Sequence, residues 1–319
     1  MNEFTLIKKY LRPLAHKNPS SLKLKDDIFY DKKEKVAIST DTFVEGVHFL
    51  KSSKPNQFFR KIFRSALSDL YCKGVTPRFY FLSFALNKKH AKHSWMSEMN
   101  KILSSEQNKF NVLLAGGDTT YSSKLVITIT VLGYSKRQPV LRNGSSFKDD
   151  IYVTGNICDS YLGLCVINKK INLGFYNSFF KKKYYEPDLA FKLTPYLNYI
   201  ATSSIDISDG LLQDLQQICK YSKCGAVIYL NCLPLSPQCK KLLVKKKFRL
   251  SNIFSKGDDY QILFTAKNRS RSKIRNLSKK LNLKISRIGY ITNNMNVLVE
   301  NDGKKFKISA TNMGYTHIF

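Results

Sequence analysis

No two glycines in this chain are separated by a single residue, so neither a G-x-G-x-x-G dinucleotide loop nor the glycine-rich loop of a protein kinase can be built from it. A G-x-x-x-x-G-K-[ST] phosphate loop is missing as well. The seven cysteines (Cys72, Cys158, Cys165, Cys219, Cys224, Cys232 and Cys239) form no C-x-x-C pair and have no histidine at zinc-site spacing. That removes the common zinc and dithiol motifs and leaves reduced, mostly buried thiols as the expectation. The longest apolar stretch, around Phe79 to Leu86, is far too short to span a bilayer. The start, MNEFTLIKKYLRP, has neither an apolar core region nor a small-residue cleavage site. These absences predict a cytoplasmic globular protein whose phosphate chemistry, if any, rests on a less common fold.

Acidic residues are also scarce: 23 against 53 basic ones, for a formal charge of +30. Such a surplus by itself points to nucleic acid or an anionic membrane. The lysines, however, run along the whole chain with abundant Asn, Ile, Phe and Tyr, as AT-biased coding would produce, and no recognition motif accompanies them. Neither nucleic acid nor membrane is therefore the expected partner.

A length of 319 residues with 43% hydrophobic side chains suits two domains, each with its own core. Period-two runs alternate with period-3.6 runs, which predicts an α/β (α+β) fold. Expected strands are 35–40, 79–86, 111–115, 125–134, 151–154, 203–207, 226–230, 261–265 and 285–290. Expected helices are 57–73, 91–106, 209–221 and 270–281. The Ser-, Lys-, Arg- and Gly-rich stretch 135–149 breaks the pattern and divides the chain into domains at 1–137 and 138–319.

Scarcity makes the placement of the acids informative. Sixteen of the 23 are Asp, and several fall where an expected strand ends: VAISTD on Asp41, VLLAGGD on Asp118, and SSIDISD with Asp206 and Asp209. Loops at strand ends converge on ligands in open α/β sheets, and short carboxylates there suit hard cations such as Mg²⁺. Simpler readings stay open at this point. Asp209, before Gly210, could be a helix N-cap, and the Asp26–Asp27 pair could be turn residues. In the helix QFFRKIFRSALSDLYCK, the apolar stripe runs Phe58, Ile62, Ala66, Leu70, with Asp69 beside it and Arg60, Lys61, Arg64 and Ser68 marking the wetter side. A carboxylate so placed needs a cation, either a metal or a buried arginine. Gly116 and Gly117 ahead of Asp118, Thr119 and Thr120 form a phosphate nest or an ordinary turn. Arg142 is a phosphate clamp or a surface arginine.

Read in order, KDD (25–27), STDTFVEGVHF (39–49), ALSDLYCKGVTPR (66–78), AGGDTT (115–120), LRNGSSFKDDIYVTG (141–155), IDISDGLLQDL (205–215), KGDDYQILFT (256–265) and GYTHIF (314–319) resemble the thiamine-monophosphate kinases, a family of the superfamily typified by aminoimidazole ribonucleotide synthetase. The resemblance covers nearly the whole chain, and STDTFVEGVHF is distinctive of this kinase family. It implies a two-domain fold, an N-terminal mixed sheet that forms a homodimer, and a C-terminal α/β domain. It implies several Mg²⁺ ions on Asp27, Ser39, Thr40, Asp41, Asp69, Asp118, Asp206 and Asp209. Gly117, Asp118, Arg142 and Ser208 would contact ATP, and His48, Asp258 and Tyr315 would face thiamine monophosphate. The reaction implied is ATP- and Mg²⁺-dependent in-line phosphorylation of thiamine monophosphate, the last step of thiamine diphosphate synthesis, with no catalytic side chain beyond the metal and ATP ligands. Departures from the family's pattern are Lys25 and Lys256 where it has glycine, Asp258 for glutamate, Asn143 for serine, Gln261 for glutamate and Tyr315 for a frequent tryptophan. Selenophosphate synthetases, which need a reactive cysteine near the start, fit less well, because the first cysteine here is Cys72 inside a helix. The hydrogenase-maturation members end in cysteine where this chain ends on Phe319.

Overall fold

The computed structural model describes residues 3–51, 53–245, 247, 248, 250, 253–307, 314 and 315. After a short α1 (Glu3–Leu6), the first unit runs β1 (Phe29–Asp31), β2 (Val36–Val44), α2 (Pro55–Tyr71), β3 (Thr76–Leu86), α3 (His93–Phe110), β4 (Leu113–Gly116), β5 (Thr119–Tyr121) and β6 (Val126–Tyr134). Its mixed sheet has the order β1-β2-β6-β3-β4, with β5 also paired to β3. β6 is antiparallel to β2 and β3, whereas β4 and β5 lie parallel to β3.

Alternation decides which face is covered. Ala37, Tyr80, Ile127, Ile129 and Val131 point inward and pack with Phe59, Ile62, Phe63 and Leu67 of α2. The opposite face carries Thr40 against Thr130 and Thr42 against Thr128, hydroxyl to hydroxyl at 2.8 and 2.9 Å. Phe81, Leu113, Leu114, Tyr121 and Tyr134 are exposed, with Tyr121 at 75%.

α2 starts at Pro55, where a missing N–H costs nothing, and Gln57 Oε1 accepts the Lys54 N–H at 2.8 Å. It ends at Tyr71, three residues before Gly74, whose φ of +73 favours glycine. The polar side of α2 was expected to be wet, and it is not: Lys61, Arg64 and Ser68 are buried. They face the second unit, where Lys61 meets Asp258, Arg64 donates to Pro187 O, and Ser68 meets Asp206. Polar spacing alone cannot tell water from a polar partner.

The second unit contains β7 (Asp150–Thr154), α4 (Asp159–Ile167), α5 (Asn177–Tyr185), α6 (Thr194–Leu197), β8 (Ser203–Asp206), α7 (Leu211–Ser222), β9 (Gly225–Tyr229), α8 (Pro237–Val244), β10 (Ile262–Ala266), α9 (Arg271–Leu281), β11 (Ile285–Thr292), β12 (Val297–Asn301) and β13 (Lys304–Phe306). The sheet order is β13-β12-β9-β11-β7-β10-β8, antiparallel except for β12 with β9. One face packs Ile151, Val153, Ile205 and Leu263 against α4 and α7. The other stacks Tyr152 on Phe264 and covers them with α6 and α9. All seven cysteines are free thiols, six of them buried.

Candidate active site

The two sheets meet along α2, and there the sequence's aspartates collect. Ser39 and Asp41 alternate on the covered face of β2, and Asp69 sits one turn from the end of α2 and accepts the Ser39 hydroxyl. Asp206, the last residue of β8, accepts from Ser68 Oγ at 2.7 Å, which ties the second sheet to α2. Asp41 lies within β2, opposite Ile129, and not beyond its end as the sequence suggested. The strand continues because Thr42, Phe43 and Val44 keep pairing with β6.

Two cations, Lys73 buried and Arg142 partly exposed, serve one edge of this cluster. Lys73 Nζ lies 2.9 Å from Asp26 Oδ1 and 2.7 Å from Asp27 Oδ2, and donates to Ser204 O at 2.7 Å. Arg142 grips Asp27 through Nη2 and through Nε at 3.2 Å, while its backbone N–H donates to Asp26 Oδ2 at 2.7 Å. The pair is thus no simple turn, and Arg142 is no surface arginine in this structure.

The electrostatics split accordingly. Burial alone would raise Asp27, but Arg142 and Lys73 outweigh it and hold its carboxyl well below the usual range. Asp41 has no such partner among the described residues: burial, then Asp206 and Asp27, push it up to about 7. Asp206 is raised to about 6 by burial and Asp27, opposed by the Ser68 hydrogen bond and by the charges of Lys73 and Arg142. Asp69 is raised well above the ordinary value by burial and by Asp41, Asp206 and Asp27. Of the two partners the sequence left open for Asp69, no arginine contacts it among the described residues. Hard oxygen donors short of positive charge are what Mg²⁺ binds, so this set fits the ion. Cys72 Sγ comes within 4.8 Å of ligand atoms of Asp27 and Asp206. Burial keeps it a thiol, however, donating to Asp69 O at 3.2 Å, and soft sulfur does not suit magnesium.

Two loops of the second unit close the far side. The Ser208 carbonyl accepts from Asp258 N at 2.8 Å and Asp209 O from Tyr315 N at 3.1 Å, so the 207–210 loop carries both the 256–260 loop and the Gly314–Tyr315 segment. The rest of GYTHIF, Thr316–Phe319, lies outside the described residues. Asp209 is not the helix cap: Gly210 occupies that position, and its N–H donates to Asp214 Oδ2 at 3.0 Å from within α7. Asp209 instead accepts from Gln213 Nε2 at 2.9 Å, and burial raises it to about 7.

Other expected residues stand apart. Thr40 turns its hydroxyl to the open face of the sheet, which leaves only its carbonyl on offer to the cluster. His48 follows β2 in a turn, and its Nδ1 accepts the Val44 N–H at 3.0 Å, which places the proton of a neutral ring on Nε2. Gly117 and Asp118 lie between β4 and β5, exposed, along a groove of about 620 Å³ bounded by β3 and α3. A Cβ on Gly117 would fall 1.9 Å from Leu82 O, so the glycine is demanded by close backbone approach.

Lys73, Lys61 and Asp214 were missed by sequence reasoning. Lysine is so frequent here that no single one stands out. The only signal was position: Lys73 stands just past the helix that carries Asp69, and Lys61 lies two turns before Asp69 in that helix.

The family described as AIR synthase related protein, N-terminal domain, matches residues 24–135. Thiamine-monophosphate kinase of Buchnera aphidicola subsp. Acyrthosiphon pisum is 35% identical over 300 residues, 91% of each chain. That of Haemophilus influenzae is 33% identical over 300 residues, 91% of this chain and 89% of its own. The structure of AaThiL complexed with AMPPCP and TMP superposes with a TM-score of 0.86 at 25% identity, covering 99% of this chain and 97% of that one. With the acid cluster and its two cations, these likenesses lead to one assignment: the chain belongs to the thiamine-monophosphate kinase family.

Proposed function

We propose that this protein transfers the γ-phosphoryl group of ATP to thiamine monophosphate, giving thiamine diphosphate in the final step of its synthesis. The observation that carries this reading is the group of carboxylates Asp41, Asp69 and Asp206, the last buried and the other two half-buried, which no lysine or arginine contacts among the described residues, beside Arg142 and Lys73 closed on Asp27. A site that already repels its own charges gains most from cations, and both substrates are polyanions. Bound Mg²⁺ ions would offset the repulsion between the substrates and stabilise charge on the transferring group. Asp27, Ser39, the Thr40 carbonyl, Asp41, Asp69, Asp118, Asp206 and Asp209 are the residues we assign to hold them.

Arg142, beside Ser208 and with Gly117 and Asp118, would bind ATP. Its bidentate fork, now closed on Asp27, suits a phosphate equally well. Asp118 makes no side-chain contact with the cluster inside the chain, so nucleotide or a second copy would have to bring it there. His48, Asp258 and Tyr315 would hold thiamine monophosphate. The acceptor phosphate is largely deprotonated near neutral pH, so we assign no general base and infer direct in-line transfer.

A homodimer through the N-terminal strands is supported by the uncovered face with Phe81, Leu113 and Tyr134. We place the domain division at 1–137 and 138–319, with the first part binding nucleotide and metal and the second completing the site. Among the described residues no helix is long and apolar enough to cross a membrane, and we infer a cytoplasmic location. Incubating the protein with ATP, Mg²⁺ and thiamine monophosphate should yield thiamine diphosphate. No product at any magnesium concentration would sink the proposal, and a phosphorylated enzyme or retained configuration at a chiral γ-phosphate would refute the in-line route.

A further inference from the structure

Lys73 is the feature of the site that its function does not yet explain. Its side chain has no solvent exposure. The three donors of its ammonium are all engaged, at 2.9 Å by Asp26, 2.7 Å by Asp27 and 2.7 Å by the Ser204 carbonyl. An all-oxygen seat of two carboxylates and a carbonyl is the kind of site that hard cations occupy. Here the seat is filled by the chain itself. Two carboxylates within 2.9 Å of the ammonium offset the cost of burying its charge.

The carboxylates divide by what neutralises them. Asp27 has both oxygens engaged, Oδ2 by Lys73 and Arg142 Nε, Oδ1 by Arg142 Nη2. Asp41, Asp69 and Asp206 receive only hydroxyl donors or none among the contacts described above. Arg142 has a second use, because it sits partly exposed and can turn to a phosphate. Lys73 has none, since the C-terminal turn of α2 and β8 enclose it.

We infer that Lys73 is a built-in cation of the magnesium cluster, filling the position between Asp26 and Asp27 so that the site works with one divalent ion fewer than its carboxylates would otherwise call for. This rests on the reading of the site as a magnesium-dependent kinase centre. A fixed ammonium supplies charge there whatever the free magnesium, and it leaves the remaining ions to the side of the cluster formed by Asp41, Asp69 and Asp206, which Asp27 joins through Oδ1 once Arg142 turns to a phosphate.

The test counts ions without using turnover. Mn²⁺ is titrated into wild type, Lys73→Met and Lys73→Gln in the presence of AMPPCP, and bound ion is measured by electron paramagnetic resonance. Both variants should bind one further ion per chain, and Mg²⁺ should raise their melting temperatures more than it raises that of wild type. Lys73→Gln keeps amide donors for two of the three oxygens and guards against simple misfolding. Variants that fold only when Mg²⁺ is present would support the inference. Variants that stay unfolded at saturating Mg²⁺, or that fold and bind the same number of ions with the same thermal shift as wild type, would overturn it. Wild type that binds no Mn²⁺ at all would instead remove the kinase reading on which it stands.

Discussion

Lys61 of α2 places Nζ 2.8 Å from Asp258 Oδ1, joining a helix of the first unit to a loop of the second. The ammonium also lies 3.8 Å above the ring of Tyr184, and Tyr260 donates to the same carboxylate oxygen at 2.9 Å. Asp258 sits in the left-handed region at φ +69, an uncommon conformation that surrounding contacts must maintain. The side chain of Lys61 is 6% exposed and that of Asp258 28%, so the pair is sheltered but not sealed. Lys61→Met should cost about 2–3 kcal/mol, below the range for fully buried pairs because water can reach the abandoned carboxylate. If Asp258 faces thiamine monophosphate, the variant should raise KM for that substrate while KM for ATP holds. A double-mutant cycle with Asp258→Asn gives the coupling, and a value near zero would mean the contact is incidental.

The cluster's stability should depend on pH in opposite senses with and without metal. Asp41 and Asp206 are raised to about 7 and about 6 from 3.8. Between about pH 4 and 7 the folded protein therefore holds protons that the unfolded chain has released. The stability they contribute is full below the unfolded value and is lost as pH rises through 6 to 7. Metal-free protein should thus melt at a lower temperature at pH 7.5 than at pH 5.5. Mg²⁺ competes with those protons, so its stabilisation should grow over the same interval. Melting curves in EDTA and in Mg²⁺ decide this, and a metal-free melting temperature that climbs from pH 5.5 to 7.5 would contradict it.

Asp118→Asn offers a cleaner probe of the reaction than any change inside the cluster. Asp118 is exposed, and its one described contact is through its carbonyl, which accepts from Phe84 N at 2.8 Å. Substitution there should alter stability by no more than about 0.5 kcal/mol. Lost turnover with an unchanged melting temperature is the expected result. Near-normal activity would take Asp118 out of both the metal and the nucleotide sets.

Much of this was readable in the sequence for physical reasons that also explain the rest. α2, α3, α7 and α9 and the main strands carry enough residues for their periodicity to register. β1, β5 and β13 have three residues each, too few for a pattern, and α4 (DSYLGLCVI) is apolar nearly all round because most of it is buried. The acids could be identified because they are rare and stand at fixed motifs. What neutralises them could not. Lys73 and Lys61 are two lysines among many, and only the fold shows that they point into the junction. The capping alternative for Asp209 failed for a similar reason: Asp214, one turn into α7, reaches back to the Gly210 N–H and takes that role.

Gly210 tests how tightly the 207–210 loop is tied to the 255–258 loop. A Cβ at Gly210 would stand 2.0 Å from Ser255 O and 2.7 Å from Ser255 C, both backbone atoms that no rotamer change can move, and its φ of +136 is itself unfavourable for other residues. The opposing loop is equally close, since a Cβ on Gly257 would fall 1.9 Å from Ser208 O. Gly210→Ala must therefore push the 207–210 loop and the 255–258 loop apart, and with them Asp209 from Asp258. The expected cost is about 2–4 kcal/mol, together with a smaller thermal shift on adding Mg²⁺ than wild type shows. Gly174→Ala is the control, because φ there is +60 but nothing lies within 4 Å of the added methyl. It carries only the left-handed strain of about 1 kcal/mol and should leave the magnesium response intact. Equal losses in the two variants would show that conformational strain, and not the contact between the loops, sets the effect at Gly210.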